Sequence, residues 1–255
     1  MCILFLAIDQ HPDYPVIICA NRDEFYARPT QEAEYWREQP DILAGKDLQA
    51  GGSWFGINSS GCFAAITNIR TGIQQFETKR SRGELVTMAL QADSPIDVHW
   101  LKENSDEYNP FNLTYGHLNQ LRCYNSIQKR QTHLTDGFHS ISNGALDDIW
   151  PKMAKGARSL ERLVAVNKMI DGDELFNILK DKTQAADVEL PHTGIPLEWE
   201  RKLSSIFINS SEYGTRSSSI IIQNKLGAVK FIERCYDDQG NKRGQRDFQL
   251  KVSRQ

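Results

Sequence analysis

Runs of apolar and β-branched residues stand at both ends of this chain, and helical periodicity is confined to its middle. Residues 2–8 (CILFLAI) and 16–21 (VIICAN) form two such runs, separated by DQHPDYP, in which Asp9, Pro12, Asp13 and Pro15 supply turn chemistry. At the far end, residues 215–223, 228–234 and 248–252 are β-branched or alternate, with NKLG and DDQGNKRG as turns between them. A hairpin is expected between 54–58 (WFGIN) and 62–68 (CFAAITN), turning through SSG. Residues 83–91 place Leu85, Met88 and Ala89 on one helical face. Asp93-Ser94-Pro95 signals the start of a second helix, running to Lys102. Strands return at 111–116 and 121–124, with a turn and strand over SIQKRQT, and helices are expected at 154–166, 173–180 and 197–203. Strands at both ends of a helical middle predict an α+β protein, with antiparallel sheets covered by helices.

A chain of 255 residues can bury a sizeable core. It has no internal repeat, low-complexity segment or Pro/Gly/Ser-rich linker, so one domain over residues 1–255 is expected. A net charge of -3 leaves no electrostatic footprint for nucleic acid. The densest basic run, Lys79-Arg80-Ser81-Arg82, reads as a solvated loop. No stretch approaches the roughly 20 apolar residues of a membrane span. Asp9 and His11 cut the first apolar run short and no basic residue precedes it, so no secretory leader is expected. The five cysteines (Cys2, Cys19, Cys62, Cys123, Cys235) are odd in number, widely spaced and without a CxxC. That pattern suits a reducing, cytoplasmic setting with most thiols packed as small hydrophobes. The six histidines show no metal-ligand spacing, so no metal is expected.

Cys2 stands directly after Met1. Removal of Met1 would leave a thiol and a free amine on adjacent carbons. An α-amino group titrates near ~7.7–8.0 and a thiol near ~8.5. The amine is then partly neutral beside the thiol it must deprotonate, and one residue supplies nucleophile and base. The other reading is a small buried residue that opens a strand.

Several strand-like stretches end in polar groups, where a rigid sheet positions side chains well. Asn21-Arg22-Asp23-Glu24 closes the second run; Asp23 can accept a hydrogen bond from the Cys2 amine, and Arg22 can pair with Asp23, Glu24 or a substrate carboxylate. AAITNIR ends in Asn68 and Arg70, and SISNGALDDIWPK carries Asn143. A side-chain amide at a strand end can donate to a developing oxyanion, or simply serve a turn. EYGTRSSSIII sets Arg216 among small hydroxyl residues before a buried run.

Taken together and in this order, MC, ANRDE, GGSWFGIN…AAITNIR, SNGALDDIWPK and YGTRSSS resemble the NRDE family, that of Transport and Golgi organisation protein 2 and its bacterial relatives. The resemblance runs over nearly the whole chain. It implies a fold of the N-terminal nucleophile (Ntn) hydrolase type, a four-layer αββα sandwich. More distantly, the chain is similar to the cysteine Ntn hydrolases that cleave bile salts and penicillin V. Their second strand ends in Arg-Asn-x-Asp; here Ala20, Asn21, Arg22 and Asp23 stand against it, with the arginine displaced to Arg22 on the strand face of Ala20.

By that resemblance Cys2 is the nucleophile, Asp23 holds its amine, Asn143 and Asn68 serve the oxyanion, and Arg216 takes the place of a late arginine. Asn21, Arg22, Glu24, Trp54 and Arg70 are then the expected substrate-binding residues. The implied reaction is cleavage of a linear amide of a small molecule, with no cofactor. The family also implies an alternative: a non-catalytic carrier that holds haem or an acyl lipid as cargo in the same pocket. Trp54, Trp36 and Tyr35 would then line an apolar groove, or pack in the core. No CxxCH marks a haem site.

Overall fold

The computed structural model describes residues 2–72, 76, 78–91, 94 and 96–252. Strands β1 (Cys2–Ile8) and β2 (Val16–Phe25) form a first hairpin, followed by β3 (Thr30–Tyr35), β4 (Ile42–Asp47), β5 (Phe55–Asn58) and β6 (Cys62–Asn68). Helices α1 (Gly83–Leu90) and α2 (Val98–Asn104) come next, then β7 (Phe111–His117), β8 (Arg122–Asn125), β9 (Arg130–His133) and β10 (Gly137–Ile141). After α3 (Pro151–Val166), α4 (Gly172–Leu179) and α5 (Leu197–Lys202), the chain closes with β11 (Tyr213–Gln223), β12 (Ala228–Tyr236) and β13 (Lys242–Lys251).

The strands build two sheets, one in the order β10-β1-β2-β11-β12-β13 and one in the order β3-β4-β5-β6-β7-β8-β9. Every ladder between these strands is antiparallel. Strand alternation then sorts the core. Ile3, Phe5, Ala7, Ile17 and Cys19 face α3 and α4, packing on Met153, Leu160, Leu175 and Phe176. Leu4, Leu6, Ile18 and Ala20 face the other sheet, in a core with Ile57, Phe63 and Ala65 that continues to Leu85, Val86 and Leu90 of α1. The four layers are therefore helix, sheet, sheet, helix, as an Ntn-hydrolase-type sandwich requires. β1 and the first half of β2 are covered on both faces, which is why residues 2–8 and 16–20 read as apolar runs.

Several expectations shift. β3 and β4 were not foreseen: β3 (TQEAEY) is a polar edge strand whose alternation a bulge between Gln31 and Glu34 interrupts. β13 begins at Lys242, because its first half is an exposed, charged edge that looks like turn sequence. α2 starts at Val98, capped by Asp97, whose side chain accepts from Trp100 N at 2.8 Å. Asp93 and Pro95 of the expected start signal lie outside the described residues. Among those residues, no helix is long and apolar enough to cross a membrane, and none of the five cysteines is in a disulfide.

Candidate active site

The first residue of β1 pairs directly with the seventh of β2: Cys2 lies opposite Arg22. Directly opposed residues project from the same face of a sheet, so both side chains point towards the second sheet. On the other side of β2, Thr215 of β11 lies opposite Asp23. These strand ends open onto a cleft of about 570 Å³, lined among others by Cys2, Arg22, Asp23, Glu24, Trp54 and Asn68. Six of the ten residues expected at a site are thus brought together.

Cys2 is half-buried, and burial pushes its thiol up, with Asp23 adding to the rise and Arg22 opposing it. Such a thiol needs a base to become a nucleophile. Asp23 is buried; its Oδ1 accepts from Thr215 Oγ1 at 2.7 Å and its carbonyl accepts from Tyr213 Oη at 3.0 Å. Burial raises its carboxyl above the usual range, against the pull of Lys152 and Thr215. The Arg22 guanidinium lies over the Trp54 ring, 4.2 Å from its centroid, and donates to Thr30 Oγ1 at 3.0 Å. Glu24 stands 4.0 Å from Arg22 and accepts from the Phe25 amide at 2.9 Å.

Asn68 ends β6, and Asn143, fully buried, lies two residues past β10. Asn143 Nδ2 donates to Asn68 O (3.0 Å) and Asn68 Oδ1 (3.2 Å). A backbone carbonyl can only accept, so this contact settles which way the Asn143 amide points. Asn143 Oδ1 is in turn the acceptor for Arg70 Nη2 (3.3 Å) and Lys152 Nζ (3.4 Å). The hydroxyl of Ser142 lies between Asn143 Oδ1 (3.3 Å) and the Cys2 carbonyl (3.2 Å). With its Oδ1 taken by Asn143, Asn68 has Nδ2 as its side-chain donor.

Among the described residues, Asn21, Arg70, Asn143 and Arg216 do not line the cleft. Asn21 points to the helical layer, donating to the carbonyls of Leu179 (2.8 Å) and Ile206 (2.9 Å) and accepting from Ser218 (2.6 Å). Arg70 forms a buried pair with Glu200 at 2.5 Å, behind Asn143. Arg216 sits in a bulge of β11 and donates to the carbonyls of Phe25, Tyr26 and Arg28, holding the turn after β2. Its place is one of support.

Sequence reasoning did not bring Arg28, Asp47 and the segment 79–82 to this cleft. Arg28 is forked onto Asp47 at 2.9 and 2.7 Å. The basic segment read as a solvated loop instead forms a wall, with Lys79 and Arg82 half-buried. A glycine contact does this: Ser53 N donates to Gly83 O at 3.1 Å, and a Cβ on Gly52 would lie 2.4 Å from Gly83 C. The signal was the pair of motifs GGSW and SRGEL, whose glycines allow two backbones to touch.

Two antiparallel sheets between helical layers, with a cysteine opening a central strand, define an Ntn-hydrolase-type fold. The architecture is similar to that of a mutant conjugated bile acid hydrolase from Clostridium perfringens, with a TM-score of 0.53 and 10% identity over 98% of this chain and 92% of that one. It is also similar to the N-acylethanolamine-hydrolyzing acid amidase ortholog of Caenorhabditis elegans, with a TM-score of 0.50 and 11% identity over 87% and 92% of the two chains. At such identities the likeness is one of fold. Within that class the chain belongs to the Transport and Golgi organisation 2 family, whose sequence model matches residues 1–238. It is 32% identical to the Transport and Golgi organization 2 homolog of Mus musculus, over 95% of this chain and 96% of that protein.

Proposed function

We propose that the chain acts as one domain and is a cysteine amidohydrolase acting on a small-molecule amide, with Cys2 as nucleophile once Met1 is removed. The observation that carries this reading is the convergence of Cys2, Asp23 and Asn68 on one cleft. Asp23 stands one position past the register of Cys2, beside the start of β1, where the amine of a trimmed Cys2 would lie. The amine takes the thiol proton as Cys2 Sγ bonds to the amide carbon. The oxyanion that forms is held by Asn68 Nδ2, which Asn143 orients from behind. Collapse breaks the C–N bond, and the ammonium returns its proton to the leaving amine. Water then attacks the thioester with the amine again as base, releasing the carboxylic acid and restoring the thiol.

The competing use of the cleft is to carry haem or an acyl lipid. A wall in which Trp54, Ile66 and Phe76 are the large apolar side chains favours a polar guest. Intact mass of the protein from its native host, followed by a panel of acyl amides, tests the reading. Loss of Met1 and turnover abolished in Cys2→Ala are expected. Retained Met1, or turnover that survives the substitution, would overturn it.

A further inference from the structure

Lys152 sits where a cation is hard to keep. It is the second residue of α3, and its side chain is buried. The positive end of the helix dipole and the guanidinium of Arg70 both oppose its charge. Among the described residues no carboxylate forms an ion pair with it; Asp23 and Glu200 act on it only at longer range. Its hydrogen bond goes to Asn143 Oδ1, at 3.4 Å.

That oxygen is a junction. Arg70 Nη2 reaches it at 3.3 Å, while Nη1 of the same guanidinium is held by Glu200. An ammonium and a guanidinium donate and never accept, so two donor-only groups face one side of the Asn143 amide. Turned over, the amide would set Nδ2 against both cations and Oδ1 against the Asn68 carbonyl. As it stands, Nδ2 donates to Asn68 Oδ1, which leaves Nδ2 as the side-chain donor of Asn68. With both lone pairs of Asn143 Oδ1 in use, the single proton of the Ser142 hydroxyl goes to the Cys2 carbonyl, at 3.2 Å. Lys152 is thus linked to Asn68 and to Cys2 without lining the cleft.

We infer that Lys152 is a positioning residue: its ammonium locks the Asn143 amide, and through it the Asn68 amide, in the orientation that offers Asn68 Nδ2 to the oxyanion formed at Cys2. The inference rests on the reading of Cys2 as nucleophile and Asn68 as oxyanion donor. It adds a residue that touches neither the substrate nor the thiol. Arg70 shares the junction but is also bound to Glu200, whereas the Lys152 ammonium has Asn143 as its hydrogen-bond partner.

Two reagents that meet Cys2 by different routes test it on the full chain with Met1 removed, at pH 7, where Lys152, pulled down to about 8, is still mostly a cation. The ester p-nitrophenyl acetate acylates a thiol through a tetrahedral oxyanion: Sγ bonds to the carbonyl carbon, the α-amine takes the thiol proton, and nitrophenolate leaves. Iodoacetamide alkylates the same sulfur at a saturated carbon, displaces iodide and forms no oxyanion. Acylation is followed as nitrophenolate release in excess of that by Cys2→Ala, and alkylation by the mass of the Cys2 peptide. The acylation-to-alkylation rate ratio is expected to fall about 100-fold in Asn68→Ala, the scale of one lost oxyanion donor, and about ten-fold in Lys152→Met. Lys152→Gln, which keeps N–H donors without the charge, should fall between Lys152→Met and the unmodified sequence, and it decides the matter if the methionine variant does not fold. A ratio unmoved by Asn68→Ala, or left unchanged by both Lys152 substitutions, would overturn the inference and leave Cys2 a nucleophile. Acylation no faster than that of Cys2→Ala would overturn the reading of Cys2, and the inference with it.

Discussion

Lys152 shows how a single side chain can be costly and still be kept. It is 4% exposed on the first turn of α3, and burial, reinforced by Arg70, pulls its ammonium down to about 8. Its geometric partner is Asn143 Oδ1, so it stands behind the amide that orients Asn68. In the unfolded chain a lysine titrates near ~10.4. Between the folded and unfolded values the unfolded chain binds the extra proton, so stability rises with pH across that window. Below about 8 the folded state carries the full cost of the buried charge. The stability of the protein minus that of Lys152→Met should therefore increase by about 3 kcal/mol from pH 7.5 to pH 10.5. Urea midpoints of both proteins at the two pH values check this; a flat difference would mean that the amine is not buried as a cation.

At the scale of elements, the site depends on how α1 meets the loop between β4 and β5. A Cβ at Gly52 would lie 2.4 Å from Gly83 C and 2.6 Å from Gly83 O, both backbone atoms that cannot rotate away. Gly52→Ala should lower stability by about 1–3 kcal/mol, the usual cost of forcing extra volume into a packed seam. It should also move Arg82, which the seam positions. A thermal melt measures the first effect, and a melting temperature unchanged by the substitution would show that the seam has slack. The turn after β2 is held in a comparable way by Arg216, three of whose hydrogen bonds go to main-chain carbonyls. An arginine among serines looked like chemistry in the sequence, yet its contacts are those of a brace.

For the whole molecule, a buried carboxyl links the two sheets. Glu233 of β12 accepts from Ala33 N of β3 at 2.6 Å and from Ser219 Oγ of β11 at 3.3 Å. Ala33 lies in the bulge of β3, which frees its amide from the ladder, so an edge strand of one sheet is tied to the other. Burial raises the Glu233 carboxyl above its ordinary range. The folded state then holds its proton to higher pH than the unfolded chain, and stability is lost as pH rises from about 4 through the raised value. Relative to Glu233→Gln, which keeps an acceptor without a charge, the protein should become less stable between pH 4 and pH 8. Guanidinium midpoints at both ends of that range decide it; a constant gap would place the carboxylate in a solvated setting.

Local physics carried much of this without coordinates. β1 and the first half of β2 are apolar because they are covered on both faces, and runs of that kind are visible in five to seven residues. Strand ends are where apolar runs stop, so Cys2, Asp23 and Asn68 could be singled out together. Alternation alone could also have separated Asn21 from Arg22, since neighbours on a strand point to opposite faces. What only the tertiary structure decided is which strand ends and loops meet. Asn143 reaches Asn68 across 75 positions through a side-chain amide, and Arg82 reaches the Cys2 cleft across 80 through a glycine contact, and neither leaves a periodic trace. Secondary structure has a period that neighbouring residues express. The register between distant strands has none, because it is selected by the packing of both faces at once.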